Sequence, residues 1–161
     1  MEELLTLTVG LPERTLAAGE VLLHQGNVTG HLFVLLQGRL LVRKGDEDFI
    51  VIDAPGACVG EMSVLLGRPH TASVVALEPS IVRVIEDAQA ALDEHPPVLH
   101  AVATLLARRL DLVNQYIADV QRQYQDVDGG LGMISDVLRD LASHHGDVAE
   151  PGSDREPNPL Y

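Results

Sequence analysis

VGEMSVLLGRPHTASV, residues 59–74, is the stretch that decides the fold. Gly60 and Glu61 open a short apolar run, MSVLL, that suits one or two turns of helix. GRP at 67–69 then breaks it and leads, hairpin-like, into the β-branched run TASV. A glycine, a carboxylate and a short helix followed by a tight return suit an anionic ligand. Such a site wants a guanidinium at the return, and the residue there is His70. Arg68, two residues earlier, is expected at the tip, facing solvent before Pro69.

On either side of this cassette the text is strand-like. EVLLHQG, HLFVLLQG, RLLVRKG, DFIVIDAPG, TASVVALEP and SIVRVIE succeed one another between about residues 14 and 86, broken by glycine and proline. That regular spacing predicts an antiparallel β-roll or jelly roll, with KGDED at 44–48 as a hairpin tip. From Asp87 the period changes. DAQAALDEH predicts a short helix, and Pro96 and Pro97 suit the first turn of the next. No glycine or proline interrupts Val98–Gln125. Leu106, Leu110, Val113, Ile117, Val120 and Tyr124 recur there in steps of 4, 3, 4, 3, 4, the seam of a two-stranded coiled coil. Val98, Val102, Leu105 and Leu112 form a second stripe, suited to packing on the β-domain. The fold class is therefore mainly β with α. A roll and a long helix (about 97–125) occupy residues 1–125, a short amphipathic helix 130–143, and an acidic, proline-rich and disordered tail 144–161.

Composition narrows the function. Net charge is −13 with 46% hydrophobic and 3% aromatic residues, so the core is mainly Leu and Val and polyphosphates are repelled. The single cysteine, Cys58, sits in APGACVG as a small buried side chain rather than a reactive thiol. MEELLTLTVG lacks the basic start of a signal peptide, and no apolar run approaches a membrane span. The expected location is cytoplasmic, with neither nucleic acid nor membrane as partner.

The ordered set of turn glycines (Gly19, Gly26, Gly38, Gly56), the cassette Gly60–Val74 and the helix text ARRL at 107–110 resembles the cyclic nucleotide-binding domain. This is the domain of the catabolite activator family and of the regulatory subunits of cyclic-AMP-dependent kinase, and the resemblance covers about residues 15–115. It implies a ligand site of Gly60, Glu61, Met62, Ser63, His70, Thr71 and Asn114. Gly60 lets the backbone approach closely, and N–H groups near Met62 and Ser63 face the phosphate. Glu61 accepts from the ribose 2′-hydroxyl or, alternatively, only favours a helix start. Thr71 donates to phosphate or caps a strand. Asn114 reads the base, or is simply an exposed helix residue.

At position 70 the family places arginine against the cyclic phosphate. Histidine offers one useful donor and is mostly neutral at pH 7. A charge-assisted bond is worth about 1.5–3 kcal/mol, so its loss weakens binding by roughly 10- to 150-fold. Were His70 the contact, affinity would rise as pH falls from about 8 to 6. The residues after Gln125 contain no basic recognition helix, unlike the DNA readers of the activator family.

Three functions are compatible with these residues. The first is a non-enzymatic sensor that binds cyclic AMP or cyclic GMP weakly, needs no cofactor, forms a homodimer or dimer of dimers through the seam, and signals to a protein partner. The second is a degenerate domain that only scaffolds. The third is a metal-dependent jelly roll using His24, His31 and Glu61, which lacks the close His-x-His pair such sites use.

Overall fold

The computed structural model describes residues 2–123, with side chains placed as far as Asp119. The seam position Tyr124, the helix expected at 130–143 and the tail at 144–161 lie outside the described residues, as does the side chain of Val120.

Among the described residues, eight strands form two four-stranded antiparallel sheets. β1 (Glu13–Leu16), β2 (Val21–Leu23), β3 (Leu32–Gln37), β4 (Leu40–Lys44), β5 (Glu47–Ile52), β6 (Cys58–Val59), β7 (Ser73–Ala76) and β8 (Ser80–Ile85) follow in chain order. One sheet has the order β1-β8-β3-β6 and the other β2-β7-β4-β5. Strands adjacent in the chain therefore often lie in different sheets, which is how a roll closes. β4 and β5 are the expected hairpin, with Lys44 opposite Glu47 across the Gly45–Asp46 tip.

β3 reads LFVLLQ, a continuous apolar run, because both of its faces are covered. Phe33 and Leu35 point between the sheets, among Leu16, Leu23, Leu40, Val74 and Val82. Leu32 and Val34 point the other way, into a second core with Val64, Leu92, Val98, Val102 and Leu105. β6 splits likewise, with Cys58 in the helical core and Val59 in the inter-sheet core. The edge strand β5 has no such cover, and Phe49, Ile50 and Val51 are exposed.

Among the described residues, four helices accompany the roll: α1 (Glu2–Leu7), α2 (Glu61–Leu66), α3 (Ala88–Glu94) and α4 (Pro96–Gln123). α2, α3 and the proline start of α4 stand where the sequence places them. Asp87 caps α3, its Oδ1 accepting from the Ala90 N–H. The sequence reading assigns no helix to residues 2–7. α1 forms nonetheless, burying Leu4 in the helical core, and Arg83 of β8 ties it down by donating to the Leu5 carbonyl at 2.7 Å.

The compact unit that holds the roll ends at Asp111. Within it, Val98, Val102 and Leu105 are buried as expected. Leu106, assigned to the seam, is half-buried and packs against the helical core, whereas Leu110 is exposed. From Leu112 the helix belongs to a second unit. There Leu112 and Val113 are exposed and Ile117 is half-buried, so Leu112 does not continue the buried stripe.

Candidate ligand-binding site

Gly60 begins the cassette with φ 92° and ψ −12°, a left-handed conformation that costs glycine little. A Cβ here would also stand 2.6 Å from the His31 carbonyl oxygen. The close approach that glycine permits here is to the residue preceding β3. Ser63 donates its hydroxyl back to the Gly60 carbonyl at 2.9 Å, tightening this turn. Ser63 is buried and Met62 exposed.

The return is not a hairpin. Gly67 (φ 59°) closes α2, its N–H donating to Val64 O, while the Arg68 N–H donates to Ser63 O at 3.1 Å. These are the two bonds of a Schellman closure. Arg68 departs from expectation: it is half-buried, and its Nε is sealed from solvent without a hydrogen-bond partner.

His70 also departs from the surface position that the return suggested, being only 5% exposed. Its backbone is clamped to the turn after β2: the His70 N–H donates to Asn27 O, and the Gly26 N–H to His70 O. Its Nε2 lies 2.9 Å from Thr29 Oγ1, and that hydroxyl also accepts from the His31 N–H. Burial holds the imidazole below its ordinary pKa, favouring the neutral ring. Thr71 is exposed at the strand entrance. Asn114 is exposed on the part of α4 that belongs to the second unit.

Glu61 is buried, 4% exposed. Arg109 of α4 donates from Nη1 to Glu61 Oε1 at 2.6 Å and from Nη2 to the Cys58 carbonyl at 2.8 Å. Burial raises the Glu61 pKa, and the Arg109 charge and hydrogen bond oppose that rise. An ionised carboxylate has about four acceptor positions, so one guanidinium bond leaves capacity for hydroxyl donors of a ligand. Sequence reasoning gave Arg109 no role. The ARRL text was the available signal, but nothing local says which carboxylate, 48 residues away, its arginine meets.

Cys58 is fully buried, and burial pushes its thiol up to about 12. Among the described residues, no three His, Cys, Asp or Glu side chains are placed to share a metal ion. His31 Nδ1 instead engages the Glu86 carbonyl at 2.7 Å, and Glu61 Oε1 accepts from Arg109. No helix among the described residues is long and apolar enough to cross a membrane.

Comparison with known proteins supports the fold. Residues 13–91 match the family profile described as the cyclic nucleotide-binding domain. The Pycsar effector protein XpPycTIR of Xanthomonas perforans is 31% identical over 124 residues, 70% of this chain and 40% of that protein. The cyclic AMP receptor protein of Thermus thermophilus is 33% identical over 98 residues, 57% of this chain and 45% of that protein. The crystal structure of the Thermus thermophilus catabolite activator protein has a TM-score of 0.59 and 26% identity, covering 74% of this chain and 59% of that one. The chain spans less than half the length of either curated relative. With the roll, the cassette between Gly60 and Val74, and this match over residues 13–91, the chain belongs to the cyclic nucleotide-binding domain family.

Proposed function

We propose that the domain is a non-enzymatic sensor that binds a 3′,5′-cyclic nucleoside monophosphate weakly and passes occupancy to α4. The observation that carries this is the Glu61–Arg109 bond. One buried carboxylate is positioned both to accept a ribose hydroxyl and to hold the long helix. A ligand that draws on Glu61 must change what Arg109 gains from it, and so changes the equilibrium between positions of α4. Gly60, Met62, Ser63, His70, Thr71 and Asn114 complete the proposed contact set.

Binding by a family relative named for cyclic AMP supports the ligand class. Weak affinity follows from the missing arginine at position 70, by the roughly 10- to 150-fold estimated from one charge-assisted bond. Exposed Leu110 and Val113 are offered to a second copy of the chain, and the output is a protein partner rather than nucleic acid, which a net charge of −13 repels. A cytoplasmic location is part of the proposal.

The bond between His70 and Thr29 favours a second reading, a scaffold with a site closed to ligand. Calorimetric titration of the full chain with cyclic AMP, cyclic GMP and their two pyrimidine counterparts separates the two. Micromolar to submillimolar binding that Glu61→Gln weakens supports the sensor. Silence to millimolar nucleotide overturns it and leaves the scaffold.

A further inference from the structure

We propose that Arg68, not residue 70, supplies the positive charge that meets the ligand's phosphate. The proposal rests on the sensor reading and revises it at one point: Arg68 takes the place of His70 among the phosphate contacts, so the low affinity argued from position 70 alone does not carry over.

The imidazole at position 70 is already committed. It is buried, its backbone is bonded on both sides to Gly26 and Asn27, and its Nε2 is engaged by Thr29. To reach an anion it must give up Thr29, and it has only one useful donor to offer. Thr29 in turn is held by the His31 N–H, so the pair is a structural bridge between the turn after β2 and the cassette.

Arg68 is in the opposite condition. Its Nε is, among the described residues, the buried side-chain nitrogen or oxygen that lacks a hydrogen-bond partner. Among the described residues, Arg14, Arg43, Arg83 and Arg109 each pair with a carboxylate, to Glu20, Asp48, Glu13 and Glu61, whereas Arg68, like Arg39 and Arg108, is in no ion pair. A desolvated donor without an acceptor is costly, and such a group in a folded protein calls for an explanation, which a bound anion would supply. An arginine fork is also the side chain best matched to a phosphate.

The backbone puts Arg68 where such a ligand would be met. Its N–H is fixed to the Ser63 carbonyl, in the same turn whose hydroxyl bonds Gly60. Proline disfavours the helical region for the residue before it, and the chain bends at Arg68. Two extended residues span only about 7 Å, within the compass of a long side chain. The charge that the family places at the end of the return is therefore carried here at its beginning, two residues earlier in the chain.

The test is calorimetry with the four cyclic nucleotides on the full chain and on Arg68→Gln and Arg68→Lys, at pH 6 and pH 8. Thermal melts confirm that each variant is folded. The expected result is binding by the wild type that changes less than threefold between the two pH values, because guanidinium keeps its charge throughout. Arg68→Gln should lose at least tenfold in affinity and Arg68→Lys should recover part of it. If the wild type binds and Arg68→Gln binds equally well, the assignment to Arg68 is wrong while the sensor stands. Wild-type affinity that rises tenfold toward pH 6 returns the role to His70 and likewise overturns it. Silence of the wild type with every nucleotide removes the sensor reading and this proposal together.

Discussion

Replacing Arg109 with methionine strips the buried Glu61 of its cation while keeping most of the aliphatic stem. Breaking a fully buried ion pair from one side costs about 3–5 kcal/mol. Here Glu61 is 5% exposed in its side chain but Arg109 is 37% exposed, so solvent screening reduces the figure. Loss of the bond to the Cys58 carbonyl adds to it. A destabilisation of about 1–3 kcal/mol at pH 7.5 is expected, equivalent to roughly 4–12 °C in Tm for a domain of this size. The dependence on pH has a definite sign. The folded pKa of Glu61 already lies above its unfolded value. Its contribution to stability is therefore fully present below about pH 4.5 and is lost as pH rises through the folded value. Without Arg109 that folded value climbs further. The deficit of Arg109→Met relative to wild type should thus shrink between pH 7.5 and pH 5, as the orphaned carboxyl takes up a proton. Adding Glu61→Gln should recover part of the loss at pH 7.5 and flatten the profile. Thermal melts of the wild type, both single variants and the double variant at the two pH values make the measurement. A variant as stable as wild type at pH 7.5, or a deficit that grows toward pH 5, would refute this account of the pair.

Gly60→Ala places a Cβ 2.6 Å from the His31 carbonyl on a left-handed backbone, and a loss of more than about 1 kcal/mol in urea unfolding is expected; an unchanged midpoint contradicts the close approach. Cys58, buried with its thiol pushed up to about 12, should react with an aromatic disulfide reagent at pH 8 only as fast as the protein opens; prompt labelling of the native protein would refute its burial. Leu110→Asp with Ile117→Asp places four charges in a two-chain seam and should reduce the mass measured by light scattering to that of one chain. An unchanged mass, whether one chain or more, means that these residues do not form the interface.

Local order was legible in the sequence because it depends on residues a few positions apart. Short strand-like runs punctuated by glycine and proline gave six of the strands, and Asp87 and Pro96 marked two helix starts that the structure keeps. Gly60 and Gly67 were equally readable, since only glycine takes a left-handed turn at so little cost. The family cassette was recognisable for the same reason: its residues are consecutive.

What packs across the fold was decided only by the tertiary structure. α1 is a six-residue helix too short to persist alone, and it exists because Leu4 finds a core assembled from residues 32 to 105. β1 and β6 are short strands defined by partners far along the chain, β8 and β3. His70 and Arg68 sit in a segment whose composition indicates a surface return, yet the turn after β2 covers His70 and the Arg68 Nε loses its water. Arg109 and Glu61 are each ordinary helix residues in the sequence. Only closure of the roll against α4 desolvates the carboxylate and sets the guanidinium against it, because burial and charge pairing depend on everything that surrounds a side chain and not on its neighbours in the chain.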